Sequence, residues 1–421
     1  MNKLYFVFLL VFSSIYTNAQ LDSLTMDLNF KTRAEGDNGY STLIPENKNL
    51  KTDVASRARI GMNFYLNQLE IRIAAQDART WGNTSSSNSS ETVSFYEAWA
   101  KYNFSPSFYL KAGRQAIGYG NGRVIWESDW GIKGKTHDAL MIGFDFENGS
   151  SLNAVATYNS QNSNRNDELE NEFYSVFDGG ERTKSMQLLH YQNSIKNDFY
   201  YSALLMNSIV QTDDGKHNPL ITTGFYLSQK FNESIKLTAH AYYQTGKNTA
   251  DQTKNAYNLS LNLNYLPYSF WNMNLGGEIL SGTKYNEDSK KNKSFSPLYG
   301  TSHTFNGYMD YFYSSGHLNG PGLLDLNFKN NFNLNTLGKL YVAVHYFSSH
   351  EKFTPTNDNY LGTEIDLVYG KNFGSDFLLN FGYSQIFASS NLKALKDVPN
   401  AKNLQNFVWL GLSFTPQFKV L

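Results

Sequence analysis

The chain has 421 residues, with 36 Lys and Arg against 37 Asp and Glu, 17% charged and 15% aromatic residues, and no cysteine. Balanced charge offers nucleic acid no basic field, and the missing thiols exclude disulfides, zinc-thiolate sites, iron–sulfur clusters and cysteine nucleophiles. Length alone allows two or three soluble domains or one large barrel, and an apolar share of 41% with 29 Tyr, 30 Phe and only 9 Pro favours the barrel over a disordered chain or an ordinary enzyme core.

At the N-terminus, Lys3 precedes the apolar run Leu4 to Phe12 and then "SSIYTNAQ", with small residues at Thr17 and Ala19. This reads as a cleavable secretory signal over residues 1–19. Cleavage after Ala19 would leave Gln20 first, and the absence of Cys there removes a lipoprotein anchor. Beyond that segment no run of about 18 apolar residues occurs, so no apolar helix is long enough to cross a membrane. An exported chain can still cross as a closed barrel, in which every backbone group pairs between strands.

Residues 20–421 read as one such barrel. From "TMDLNFKTR" (25–33) to "NFVWLGLSF" (406–414), short segments alternate apolar and polar residues with a period of two. In 58–66, Ala58, Ile60, Met62, Phe64 and Leu66 face one way while Arg57, Arg59, Gly61, Asn63 and Tyr65 face the other. Leu69, Ile71, Ile73 and Ala75 alternate with Glu70, Arg72, Ala74 and Gln76, and Ile235, Leu237, Ala239, Ala241 and Tyr243 with Lys236, Thr238, His240, Tyr242 and Gln244. In 257–265, Tyr257 and Tyr265 bracket Leu259, Leu261 and Leu263, as aromatic girdles at two membrane interfaces require. Leu324, Leu326 and Phe328 alternate with Asp325, Asn327 and Lys329.

Short polar turns at 67–68, 148–150 and 231–234 contrast with long segments at 80–92, 160–184, 282–320 and 389–403. The expected fold is therefore all-β: a single transmembrane antiparallel barrel of about 18 strands, with 16 as the alternative, having short periplasmic turns and long extracellular loops. A secreted β-sandwich or solenoid would need two packed sheets with each polar row outward, and the aromatic strand ends and loop asymmetry favour the membrane.

Charge on the lipid face is unfavourable, so charged strand residues should point into the lumen. The inward basic set is Lys31, Arg33, Arg57, Arg59, Arg72, Lys101, Lys236 and Lys329, and the inward acids are Asp27, Glu70, Glu97, Glu278, Asp325, Glu364 and Asp366. Cross-strand pairing can account for part of these as bracing. All nine Arg precede residue 183, and an Arg-rich strip suits carboxylates or phosphates, which guanidinium grips bidentately.

The stretch "GRQAIGYGNGRVIWESDW" (113–130) lacks the Lys-Ser or Lys-Thr of a phosphate loop, and Val124-Ile125-Trp126 starts helices poorly. It reads as a strand end at 110–112 followed by a glycine-loosened segment able to fold back into the pore, or as a surface loop stiffened by salt bridges. The eight His show no H-E-x-x-H pattern, and no G-x-S-x-G elbow occurs. His240 and His345 read as wall groups, and "NDELENE" (166–172) as a solvated charge run.

"RARIGMNFYL", "QDARTWG", "LKAGRQAIGYGNGRVIWESDWGIKGKTHDAL", "PLYGTSHTFNGYMDYF" and the closing "EIDLVYG", "FGYSQIFASSNL" and "FVWLGLSFTP" resemble the alginate export family of outer-membrane β-barrels. The most specific part is the pattern borne by Gly113, Arg114, Gln115, Tyr119, Gly120, Arg123, Asp129, Trp130, Gly134, Lys135, Asp138 and Ala139. The resemblance implies an 18-stranded, outer-membrane porin-like barrel of a Gram-negative bacterium, passing an anionic polysaccharide or oligosaccharide without chemistry or cofactor. Carried over by motif, Arg114, Arg123 and Asp129 belong to the lumen or its constriction, and together with the inward and Arg-rich sets the expected lumen path is Arg33, Arg57, Arg59, Arg72, Arg79, Arg114, Arg123 and Lys135. Constriction support falls to Asp129, Asp138, Glu70 and Glu97, and sugar stacking to Trp126, Trp130 and Tyr119. No metal site and no nucleic acid are expected, the surrounding partner is outer-membrane lipid, and periplasmic partners for export or uptake are left unspecified. Lys135 stands where Arg is common, and the inward acids set this chain apart from a purely basic lumen. The rival readings are a general diffusion porin, a barrel enzyme and an adhesin.

Overall fold

A run that alternates apolar and polar residues buries one face only as an extended strand, and nearly every such run is one. The computed structural model describes residues 21–82, 93–159, 183–195, 198–212, 215–301, 303–312, 320–354 and 358–420. The expected signal segment and most of the expected loops 80–92 and 160–184 lie outside the described residues.

The strands are β1 (Ser23–Asn38), β2 (Lys51–Leu66), β3 (Leu69–Thr80), β4 (Ser94–Ser105), β5 (Phe108–Gln115), β6 (His137–Asp145), β7 (Ser151–Tyr158), β8 (Thr183–Ile195), β9 (Phe199–Gln211) and β10 (His217–Lys230). They continue with β11 (Ile235–Lys247), β12 (Thr253–Tyr268), β13 (Trp271–Leu280), β14 (Lys291–Asn292), β15 (Leu323–Asn333), β16 (Lys339–Ser348), β17 (Tyr360–Phe373), β18 (Phe377–Ala388), β19 (Leu404–Phe414) and β20 (Gln417–Lys419). Eighteen of them form a closed antiparallel barrel. Each pairs with its sequence neighbour, β13 pairs β15 across the two-residue β14, and β19 closes on β1 from Phe30↔Phe414 to Asn38↔Asn406. Beyond Pro416, whose carbonyl accepts from Leu28 N–H at 3.0 Å, β20 continues along β1. A short helix, α1 (Ser390–Leu395), is capped by the Ser389 hydroxyl and lies in the loop before β19.

Directly opposed residues of an antiparallel pair share a face, so the register carries inward and outward assignments around the whole barrel. Every charged residue of the expected inward sets faces inward by this test. Ile60, Leu259, Leu261, Leu263 and Leu326 face outward and are exposed. At the short-turn end, outward aromatics form stacks: Phe104 on Phe108, Phe108 on Phe144, Phe373 on Phe377 and Phe377 on Phe414.

The long-loop half of the barrel is filled from within. Residues 116–136 and 281–301 turn inward and bond to each other: Tyr299 N–H donates to Val124 O at 3.0 Å, Trp126 N–H to Tyr299 O at 3.1 Å and Thr301 N–H to Gly122 O at 3.0 Å. Part of the stretch expected as the outer loop 282–320 is therefore interior. Val124, Ile125, Phe295, Leu298 and Tyr299 share one buried cluster with Met186, Leu188, Leu204, Met206 and Leu220 on the inner faces of β8 to β10. Those strands have apolar inner rows because they face protein there, not water.

Candidate functional site

The turn into the inner segment is set by Gly113. Its φ is +121°, and a Cβ there would lie 2.2 Å from Ala98 O, so only glycine lets β5 approach β4 so closely in that conformation. Further along, Gly122 at φ +83° leaves room for the Trp126 ring, which would otherwise sit 2.9 Å from a Cβ.

One end of the segment is held by wall arginines. Arg57, fully buried, donates to both Asp129 carboxylate oxygens at 2.6 and 3.0 Å, to Ile132 O at 3.0 Å and to Asn29 Oδ1 at 2.8 Å. Arg59 donates to Gln76 Oε1 and to Lys133 O, and its guanidinium lies 3.3 Å from the Tyr96 ring centroid. Arg33 pairs with Glu35, donates to Trp130 O at 2.8 Å and covers the Trp130 ring. Lys31 donates to Asp129 O at 2.7 Å. Burial alone would raise the Asp129 carboxyl, but the hydrogen bonds and charge of Arg57, with Lys31 and Arg59 behind it, outweigh burial and hold it below the usual aspartate range. Its neighbour Glu127 reaches solvent inside the barrel and is pushed up by the enclosure and by Glu97 and Asp129.

The other end crosses to the far wall. Arg123 is 2% exposed and meets Glu278 of β13, 4% exposed, at 2.7 Å. It also donates to Asn306 Oδ1 at 2.8 Å and lies over Phe305. Asn306 in turn donates to Glu278 at 2.7 Å and to Asp325 at 3.1 Å, and His345 contacts Asp325 at 2.9 Å. Lys135 donates to Gly300 O at 3.2 Å, tying the two inner segments together. The fold-back is thus anchored in both senses, a loop carboxylate on wall arginines and a loop arginine on a wall carboxylate.

Three motif residues lie elsewhere. Arg114 and Asp138 are directly opposed on β5 and β6, on the outward face with Ala98 and Leu140, and pair bidentately at 2.9 and 2.8 Å. They clamp the stem of the inner segment from outside and are not in the lumen, because Lys111 and Gly113, not Arg114, take the inward parity of β5. Arg79 also faces outward, opposite Ser56, and pairs with Asp77. Trp130 has no free face for a sugar: His303 stacks on it at 3.5 Å and Arg33 covers it at 4.1 Å. Tyr119 stacks on His190 at 4.0 Å. Trp126 is half-buried, with its ring against Gly118 and Gly122.

Nearer the short turns the inner wall is more open. Arg72 bridges Glu97 at 2.6 Å and Asp27 at 2.8 Å, and Glu97 also accepts from Trp99 Nε1. Glu70 faces inward opposite Lys101. Lys101 of β4 and Lys111 of β5 are directly opposed. Each lies over an aromatic ring, Lys101 over Tyr109 at 4.3 Å and Lys111 over Trp99 at 3.8 Å, and neither is in an ion pair among the described residues. Lys111 escaped the motif-based reading, although the alternation of "YLKAG" places it inward. Among the described residues no group of His, Asp and Glu is arranged to hold a metal ion.

The sequence matches the alginate export family over residues 22–398. No curated protein matches it. Similar solved structures include the outer membrane protein OpdK of Pseudomonas aeruginosa, at 10% identity and TM-score 0.64 over 94% of this chain and 100% of that one. Another is OccAB4 of Acinetobacter baumannii, at 9% identity and TM-score 0.66 over 96% and 100%. OpdO of Pseudomonas aeruginosa follows at 9% identity and TM-score 0.65 over 95% and 99%. At such identities the likeness is one of fold.

Proposed function

The chain belongs to the alginate export family and is an outer-membrane β-barrel of the channel type, and from that premise we propose that its mature form, Gln20 onward, passes an anionic polysaccharide or oligosaccharide without chemical change. The observation that carries the anionic preference is the Lys101–Lys111 pair. Like charges directly opposite on adjacent strands are unfavourable, and neither lysine has a carboxylate within ion-pair distance among the described residues, although Glu70 stands opposite Lys101 and, with Glu97, acts on Lys111 from farther away. A passing carboxylate would relieve the repulsion, while two lysines without Arg's rigid fork would release it again, as conduction requires. Trp99 and Tyr109 beneath the ammonium groups add apolar surface beside the same path. Arg33, Arg57, Arg59 and Arg123 serve on this reading to hold the inner segment that narrows the pore, and Arg72 and Lys31 line the path below it.

A general diffusion porin is the second reading, favoured by the engagement of those arginines in ion pairs within the protein. Single-channel recording in a planar bilayer separates the two. Under the first, the pore prefers anions and alginate oligomers block it in a concentration-dependent way, and Lys101→Gln with Lys111→Gln weakens the block several-fold. An open pore that alginate oligomers never block, with a reversal potential unmoved by the double substitution, would leave the diffusion porin.

A further inference from the structure

Six asparagines crowd one stretch of the inner wall. Asn262 and Asn264 of β12, Asn272 and Asn274 of β13, and Asn327 and Asn331 of β15 all face the lumen, because the register sets Asn264 opposite Asn274, Asn272 opposite Asn331, and Asn262 and Asn327 on either side of Gly276. Each carboxamide can donate two hydrogen bonds and accept at two lone pairs. Little of that capacity is used within the protein. Asn274 Nδ2 donates to Asn264 Oδ1 at 3.1 Å and Asn262 Nδ2 to Ser260 Oγ at 2.9 Å, while Asn272 Oδ1 and Asn327 Oδ1 are buried with no partner among the described residues.

Gly276 makes a slot at the centre of this field. A Cβ there would lie 2.2 Å from Asn262 Oδ1 and 2.6 Å from Asn327 Oδ1, so the two carboxamide oxygens lean from both neighbouring strands over one glycine. Asn327 is 7% exposed. Two acceptors aimed at one point, one of them buried and without a donor, call for a group that brings an O–H or N–H. The surroundings decide which kind. The nearest inward acids, Glu278 and Asp325, lie two positions further from the short turns and are taken up by Arg123, Asn306 and His345. Lys329, opposite Asn274, donates to Phe305 O at 3.3 Å, and Lys236 borders the field opposite Asn264. With no carboxylate among the six and a lysine at each edge, the field suits an uncharged donor over a cation.

We propose that this field is a saccharide-binding strip that reads hydroxyl groups regardless of charge, with the Gly276 slot as its central subsite. A hydroxyl both donates and accepts, as a carboxamide does, so a chain of sugars can exchange partners along the strip without meeting a charge that would hold it back, as conduction requires. The strip stands across the lumen from the lysine pair. β13 is equally far from β4 in both directions round the ring, and Asn274 and Lys111 are each three positions beyond the first residue of their strands. One flank of the path therefore takes carboxylates and the other hydroxyls. Hydroxyl recognition here rests on the reading of a saccharide passenger and narrows it to one whose hydroxyls are free; an anionic chain without them would find only half of the path.

Single-channel recording with three probes tests this: maltohexaose, neutral and rich in hydroxyls; alginate hexamers; and a glutamate hexapeptide, anionic without sugar hydroxyls. Maltohexaose should interrupt the current of the unsubstituted pore in a concentration-dependent way, and the glutamate peptide should block several-fold more weakly than alginate of equal length. Asn262→Ala with Asn327→Ala should weaken the maltohexaose block several-fold. Gly276→Ala, which displaces both oxygens without removing either, should do the same, and heat-modifiable migration checks that each barrel is folded. Lys101→Gln with Lys111→Gln should leave the maltohexaose block unchanged, so that a failed anion preference and a failed hydroxyl strip are told apart. No interruption by maltohexaose, an interruption that survives both the double asparagine substitution and Gly276→Ala, or a glutamate peptide that blocks as well as alginate would overturn the proposal.

Discussion

Replacing Arg123 by methionine leaves the Glu278 carboxylate buried, 4% exposed, without the cation that lies 2.7 Å from it. Removing one partner of a buried ion pair costs about 3–5 kcal/mol. Glu278 keeps hydrogen bonds from Asn258 at 2.9 Å and Asn306 at 2.7 Å, and His240 stands 3.4 Å away. These place the expected loss near the lower end, about 3 kcal/mol, which is roughly a 100-fold shift in the folding equilibrium. The double variant Arg123→Met, Glu278→Gln carries no orphaned charge, and only about 1 kcal/mol should remain for weakened hydrogen bonds. Urea unfolding in lipid vesicles measures both, with the indoles of Trp126 and Trp130 on the same segment as fluorescent reporters, and single-channel traces of Arg123→Met should show added open-state noise. If the double variant loses as much as the two single variants summed, Arg123 and Glu278 are uncoupled, and the pair does not hold the segment across the barrel.

Acid should act on the segment in two stages. The raised Glu127 takes up its proton before an ordinary glutamate would, so reversal potentials should move toward anions as pH falls toward the ordinary glutamate value of 4.5, ahead of any change at Asp129. The lowered Asp129 contributes stability that is fully present above its ordinary value of 3.8 and is lost only as pH falls through its depressed one. Open-state noise should therefore stay flat through the first stage and rise only below about pH 4; noise rising together with the selectivity change would contradict the Asp129 anchor. Arg114→Ala, which leaves Asp138 without its partner on the outward face, should destabilise the barrel in the same urea assay and leave ion selectivity unchanged. A selectivity shift as large as that of the Lys101 and Lys111 double substitution would return Arg114 to the lumen.

The inward and outward sets of the wall were legible because side-chain alternation is a property of each strand alone. Arg57, Arg59 and Arg72 could be assigned inward from their apolar neighbours without knowing which strands they join. Where the motif led away from that alternation it misled: in "LKAGRQ" the parity itself puts Arg114 on the face of Leu110 and Lys111 on the other. Arg79 shows the same parity, two residues beyond Asp77 on the outward row of β3. The inward turn of 116–136 was legible only as a capacity, from the glycines that permit it.

By itself the sequence determined the barrel, since period two, aromatic strand ends and the spacing of turns are local and each is repeated along the chain. Tertiary structure alone decided what the charges do. Asp129 finds Arg57 across 72 residues, and Arg123 finds Glu278 on the opposite wall, because closing β19 on β1 brings distant strands around one interior. A buried charge must meet its opposite wherever the closed wall presents it, and no local pattern records that partner. The same closure turned most of the arginine strip into anchors and left two facing lysines outside any ion pair among the described residues.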